Sequence, residues 1–334
     1  MKKKYCHQPG FTILIRTILV YFILVAGCKK ESSGKHWKTL TPMTTARYAF
    51  GFVESNNLLY AIGGYNADGL ADVEVYNPAS DSWQKKTSMP TARGYLAVVS
   101  VANKIYAIGG VSGGNLDNIT YKNVTEEYDP VTDKWTTKSP FPISGAVNTV
   151  LGNQFICASA INDKIYIAAG SAGENVPTFI YDPVTDTWSN IGKPVSKFNN
   201  EPYFSATANN SMYVVNANDF LKYMPGNNEW NVLQPFLKTR KGACLAGDGD
   251  NIYSIGGYNL IPRSNNNYDV SMSGDVEVYS ISGSSWVKTL SLNVKRQSAG
   301  AVVYDGNLYV AGGAVKKPGQ SDVPLSALEV LPVK

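Results

Sequence analysis

The sequence predicts an all-β, six-bladed propeller whose ring closes when the N-terminal strand pairs in the last blade. Three observations carry this. The octet NLLYAIGG at 57–64 returns as NKIYAIGG at 103–110, DNIYSIGG at 250–257 and GNLYVAGG at 306–313. The six tryptophans, Trp37, Trp83, Trp135, Trp188, Trp230 and Trp286, are spaced by 46, 52, 53, 42 and 56 residues. After residue 30 no long apolar helical period occurs. Short runs of Val, Ile, Tyr and Thr are instead punctuated by Gly, Asn, Asp and Pro, the pattern of strands and turns. A period of about 50 residues with four strand-like runs per unit marks a propeller, in which four-stranded sheets surround a central channel.

The chain opens with a segment outside this pattern. Residues 1–27 begin with Lys2, Lys3 and Lys4, continue as an apolar run from Phe11 to Ala26 and end in small residues, a secretory signal layout. The ending Leu24-Val25-Ala26-Gly27-Cys28 resembles a bacterial lipobox. The resemblance implies cleavage before Cys28 and lipidation of that residue. Several acyl chains would anchor the protein stably, since each buried CH2 contributes ~0.8 kcal/mol. An ordinary signal peptide or an uncleaved N-terminal helix is the alternative. Residues 28–35 then form the lipidated Cys and a polar tether, and 36–334 the propeller. The expected location is the bacterial cell envelope, on the outer membrane or periplasmic face. Loss of residues 1–27 removes four basic residues, the three lysines and Arg16, and no acid. The 30 basic residues of the whole chain then fall to 26 and match the 26 acids. A neutral mature chain offers no argument for nucleic-acid binding.

Each repeat then follows in order. A phrase such as DVEVYNPASDSW (72–83) or NVTEEYDPVTDKW (123–135) places a strand, a tight turn and a tryptophan strand. Asp and Pro start the turn, and Thr and Asp side chains can bond its backbone. Downstream, Met43, Met89, Phe236 and Leu292 are each followed four residues later by Arg47, Arg93, Arg240 and Arg296. An apolar strand, a short turn and the octet come next. The double glycine ends the second strand where chains crowd and a side chain would not fit, and Tyr and Trp wedge between neighbouring sheets.

These residues, the pairs Gly63-Gly64, Gly109-Gly110, Gly256-Gly257 and Gly312-Gly313 with Tyr76, Tyr128, Tyr181, Tyr223, Tyr279 and the six tryptophans, resemble the kelch repeat family over essentially all of 36–334. Two repeats depart from it. The third reads IYIAAG (165–170) and lacks the leading Arg; the fourth reads MYVVNAN (212–218) and lacks both glycines. The last unit stops without a tryptophan strand, while HWKTLTPM (36–43) has no blade of its own. The two should therefore pair, which removes a free strand edge.

Several chemistries are excluded. Histidine occurs only as His7 and His36. No Ser-His-Asp arrangement or His-rich metal site is available, nor the histidine ligands that the copper-radical galactose oxidase, another kelch-like propeller, requires. No P-loop or G-x-G-x-x-G opening a helix is present. No metal and no cofactor is expected. Asn118, Asn123 and Asn209 stand in Asn-x-Ser/Thr, read as turn composition. Inside the fold only Cys157 and Cys244 remain; they lie in different repeats and read as two buried free thiols.

The resemblance implies where a ligand would sit. In kelch propellers the loop entering the innermost strand borders the channel mouth, so Arg47, Arg93, Arg240 and Arg296 become ligand candidates. Blade four offers Asn199, Asn200 and Glu201 instead, and blade three small residues near Gly145. The residues after the double glycine add Tyr65, Asn66, Tyr258 and Asn259. Guanidiniums bind carboxylates and tyrosines can stack on a sugar, so an anionic sugar or acidic peptide would suit such a cup. The competing reading has the arginines brace the blades through carbonyls and acids. The connections 111–123 and 258–274 are long, and long loops on a rigid scaffold frequently carry function.

Three functions follow. The first is a binding module for a carbohydrate or protein ligand, expected as a monomer. The second rests on similarity in architecture to the N-acetylneuraminate mutarotase (epimerase) group. It would use Glu201 as acid/base and Arg240 or Arg296 as carboxylate clamp. The third is a scaffold component of an envelope complex.

Overall fold

A computed structural model of the chain describes residues 35–113, 119–142, 155–170, 178–192, 204–215, 219–264 and 267–334. The leader, Cys28, Asn118, Gly145, Asn199, Asn200 and Glu201 lie outside the described residues. The described residues form six four-stranded antiparallel sheets. Blade 1 runs Gly51–Ser55, Leu58–Ile62, Val73–Asn77 and Ser82–Lys86, from the axis outward. Blade 2 starts at Ala97–Val101, blade 3 at Phe155–Ile161, blade 4 at Phe204–Ala208 and blade 5 at Cys244–Gly247. Blade 6 combines Gly300–Tyr304, Asn307–Ala311 and Leu328–Pro332 with Lys38–Leu40. Lys38 pairs with Val330 and Leu40 with Leu328, so the first strand is the outermost strand of the last blade, as expected. The innermost strands contact one another around the whole ring.

Each gap between blades holds one buried apolar cluster. Between blades 1 and 2, for example, Tyr60, Ile62 and Val75 meet Ile105, Ala107 and Tyr128. Within a blade the tyrosine of the third strand faces the tryptophan of the fourth, as in Tyr181–Trp188 at 4.8 Å and Tyr128–Trp135 at 5.0 Å. The indole N–H then reaches the preceding blade. Trp83 donates to the Thr41 carbonyl at 2.9 Å, Trp135 to Thr87 at 2.9 Å, Trp188 to Ser139 at 3.0 Å and Trp286 to Gln234 at 2.9 Å. Trp37 closes the circle on Leu290 at 3.0 Å. Every one of these acceptors lies four residues past the preceding tryptophan. Trp230 departs, donating to Thr178 Oγ1.

The turn after each tyrosine has a second task. The Tyr76, Tyr128 and Tyr181 hydroxyls donate to Asp81, Asp133 and Asp186. The same carboxylates accept backbone N–H groups of Thr41, Thr87 and Ser139 from the preceding blade. The turn carboxylate thus ties blade to blade in addition to shaping its own turn. It sits in a left-handed conformation, φ 47 to 54° in these three, which Asp tolerates.

Cys157 and Cys244 are buried and free, and burial pushes both thiols up to about 12.

Candidate functional site at the channel mouth

The entrance loops and the double glycines meet at one end of the channel. In four blades the residue after the Arg pairs with the residue after the second Gly: Tyr48 with Tyr65, Gly94 with Val111, Lys241 with Tyr258 and Gln297 with Ala314. The next residue, two past the Arg, is left-handed in each: Ala49, Tyr95, Gly242 and Ser298. These residues link hand to hand around the axis. Ser298 N–H donates to the Gly242 carbonyl at 2.8 Å, Ala49 to Ser298 at 2.9 Å and Tyr95 to Ala49 at 2.8 Å. Where the others are small, Tyr95 (φ 50°) carries an aromatic ring in a conformation costing an ordinary side chain roughly 1 kcal/mol or more.

The four arginines lie beneath this lip. Their side chains are at most 1% exposed, and each is ion-paired inside its own blade: Arg47 to Glu74 (2.6 Å), Arg93 to Glu126 (2.6 Å), Arg240 to Glu277 (2.9 Å) and Arg296 to Glu329 (2.7 Å). They also bind carbonyls. Arg47 Nη1 donates to Gly63 and Asp72, and Arg296 Nη1 to Gly312 and Ala327. This placement corrects the expected cup of guanidiniums, because a fully buried, ion-paired side chain has no surface to offer a ligand. Burial lowers Arg47, Arg93 and Arg296 from the usual guanidinium range, opposed by the facing glutamates. Burial acts to raise Glu74, but hydrogen bonds from Thr44 and the Arg47 charge outweigh it and leave this carboxyl lowered.

The arginine backbone explains the double glycine. The second Gly donates its N–H to the carbonyl of the next blade's Arg: Gly64 to Arg93 at 3.0 Å, Gly257 to Arg296 at 2.8 Å and Gly313 to Arg47 at 2.9 Å. The first Gly presses on that carbonyl. A Cβ on Gly312, whose φ is +57°, would lie 2.6 Å from the Arg47 oxygen. Crowding and a left-handed backbone both require glycine there. The Arg side chain locks its own blade while its carbonyl receives the previous one.

The acidic partners that the bracing reading requires stand at one fixed place in the repeat. Glu74, Glu126 and Glu277 stand two residues before the repeat tyrosine, and Glu329 two before Leu331. Blades 3 and 4, which lack the Arg, carry Phe179 and Leu221 at that position.

The remaining expected residues separate. Tyr65 is 6% exposed and its hydroxyl donates to the Gly113 carbonyl at 3.0 Å, so it backs the lip; burial raises it to about 12. Asn66 is exposed and pairs with Asp68. Tyr258 and Asn259 are half-buried at the base of a hairpin, Tyr258–Pro262 with Tyr268–Met272, that replaces the expected long loop. At its tip Ile261 and Tyr268 are 50% and 52% exposed.

Sequence reasoning passed over Tyr48, Tyr95, Gln297, Lys316 and Asp322. Tyr48 and Tyr95 are half-buried, with ring centroids 6.3 Å apart. Asp322 accepts from Gln297 at 2.9 Å and pairs with Lys316 at 3.2 Å. For Tyr48, Tyr95 and Gln297 the available signal was position, one or two residues past the Arg slot; Lys316 and Asp322, in the connection after Gly313, carried none. Below Tyr95 the channel narrows to a cavity of ≈130 Å3 lined by Ala49, Gly51, Ala97, Cys157, Cys244 and Gly300 among others. That is smaller than the ~300 Å3 of a drug-sized ligand site. Among the described residues no cluster of three His, Cys, Asp or Glu is placed to hold a metal ion, and no helix is long and apolar enough to cross a membrane.

Comparison with known proteins agrees with this architecture. The Kelch motif model matches residues 46–90 and 92–142. Beta-scruin of Limulus polyphemus is 34% identical over 232 residues, 64% of this chain and 24% of the scruin. Kelch-like protein 36 of Bos taurus is 27% identical over 206 residues, 57% of this chain and 31% of that protein. Kelch-like protein 23 of Pongo abelii is 28% identical over 272 residues, 78% and 44% of the two chains. The chain thus spans less than half the length of these relatives. The solved structure of YjhT superposes with a TM-score of 0.67 at 15% identity, covering 87% of this chain and 96% of that one, a likeness of fold.

Proposed function

The chain is a kelch-repeat β-propeller, and on that premise we propose that it is an exported, lipid-anchored binding module that holds its ligand at the channel mouth. The observation that carries this is the lip itself. Blades 1, 2 and 5 bring the half-buried Tyr48, Tyr95, Lys241 and Tyr258 to one opening on a ring fixed by backbone hydrogen bonds. Tyrosines supply contact area with little rotamer entropy, as recognition surfaces require. The mutarotase alternative loses its nominated clamp, since Arg240 and Arg296 are buried on their own glutamates.

The test is retention of cell-envelope components on immobilised protein. Wild type and Val131→Lys, a change in an exposed turn at the far end of blade 2, should retain the same component. The double variant Tyr48→Ala/Tyr95→Ala should lose it. Equal retention by the double variant would remove the mouth as the site. Anchoring is tested separately: Cys28→Ala should abolish incorporation of labelled palmitate, and undiminished labelling would refute it.

A further inference from the structure

Beside the opening lies a surface of a different kind. Among the described residues, the exposed large apolar side chains at the mouth end all belong to blades 5 and 6, chiefly Leu260, Ile261 and Tyr268 on the hairpin and Leu237, Leu290 and Val294 on the entrance segments. The hairpin projects. Leu260, Ile261 and Pro262 are consecutive and all exposed. Successive strand residues face opposite sides, so this strand stands clear of the propeller on both faces. Tyr258 pairs with Met272, Leu260 with Val270 and Pro262 with Tyr268, which makes one of those faces apolar from base to tip.

Charge follows the same side. Outside the buried arginines, the mouth-end connections of blades 5 and 6 carry Lys238, Lys241, Arg263, Lys295, Lys316 and Lys317 against three acids. Each acid is already matched: Asp269 by Arg263, Asp322 by Lys316 and Asp275 by Lys288 of the outer strand of blade 5. This sector is therefore positive. The described connections of blades 1 and 2 carry Asp68, Asp72 and Lys122 besides the matched Arg47 and Arg93.

A protruding apolar tip among bases matches the interface of an anionic bilayer, where tyrosine and aliphatic side chains enter the acyl boundary and lysines stay at the headgroups. The chain also enters the propeller here. Trp37 donates to the Leu290 carbonyl at 3.0 Å, and the segment from Cys28 to Lys35 before it spans at most about 25 Å. We propose that the mouth end of blades 5 and 6 docks on an anionic lipid bilayer, the hairpin tip in the interface and the lysines on headgroups. The proposal rests on the lipid-anchor reading above, which supplies the bilayer.

The experiment is hydrogen exchange, read by peptide mass, on the full-length protein reconstituted in nanodiscs. One set is phosphatidylcholine alone, the other phosphatidylcholine with equal phosphatidylglycerol. Amides of 258–272 should exchange at least fivefold more slowly in the phosphatidylglycerol discs, and those of 125–138 in blade 2 equally in both. Lys238→Glu/Lys317→Glu and Ile261→Ser/Tyr268→Ser change exposed side chains only, and each should bring the ratio below twofold. Equal exchange in both discs by a chain that co-purifies with them would overturn the docking alone. A chain that co-purifies with neither would overturn the anchor as well. Slowing that both double variants retain would overturn the assignment to this surface. Slowing that requires added envelope protein, whatever the lipid, would overturn the bilayer in favour of a protein partner.

Discussion

Replacing Arg93 by Met tests what the buried arginines do. Arg93 donates from Nε to the Gly109 carbonyl at 2.8 Å, from Nη1 to Thr91 at 2.7 Å and Glu126 at 2.6 Å, and from Nη2 to Ala107 at 3.0 Å. The variant leaves Glu126, 1% exposed, as an uncompensated buried charge. Breaking a buried pair in this way costs about 3–5 kcal/mol. For a domain of this size each kcal/mol lowers Tm by roughly 2 °C, so a fall of about 6–10 °C is expected. The double variant Arg93→Met/Glu126→Leu copies the chemistry of blade 4, where Leu221 stands at the Glu position. Exchanging a buried pair for apolar residues is often neutral, so the double variant should regain at least half of the loss. The remaining deficit reflects carbonyls left without donors at about 1 kcal/mol each. Urea unfolding followed by tryptophan fluorescence measures both. A single variant within 1 kcal/mol of wild type, or a double variant no better than the single, would refute the brace.

Further outcomes follow from the same contacts. Gly312→Ala should destabilise the ring by about 2 kcal/mol or more, combining left-handed strain with the close approach to the Arg47 carbonyl; a calorimetric Tm within 2 °C of wild type would contradict this. The carboxyls of Glu74, Asp81, Asp133 and Asp186 are lowered in the fold. For a lowered carboxyl the stabilisation is present above the unfolded pKa and lost as pH falls through the folded one. Stability should therefore drop below about pH 4, and Asp133→Asn should flatten that acid limb; an unchanged slope would exclude Asp133 as a contributor. Cys157 and Cys244, raised to about 12 by burial, should stay unalkylated by iodoacetamide at pH 8 and react in denaturant, as read by peptide mass; labelling of the native protein would show the channel wall open.

Much of the ring was determined by local chemistry that one repeat can state. The octet, the Tyr-to-Asp turn and the tryptophan recur because each blade solves the same strand, turn and inter-blade contact, and repetition makes such signals readable. Closure by Lys38–Leu40 followed from a tryptophan strand left over at one end and absent at the other. The mouth was not readable in this way. Arg47, Tyr48 and Ala49 are consecutive, yet one is locked on Glu74, one reaches the lip and one hydrogen-bonds around the axis. Which residue faces outward depends on a left-handed backbone two positions past the Arg and on a glutamate some 27 to 37 residues away in sequence. The convergence of Tyr95 with Asp322, from blades 2 and 6, exists only once the ring has closed. Sequence carries the repeated contacts because they are local and identical. The site belongs to tertiary structure because it is built from the positions where the blades differ, brought together across the axis.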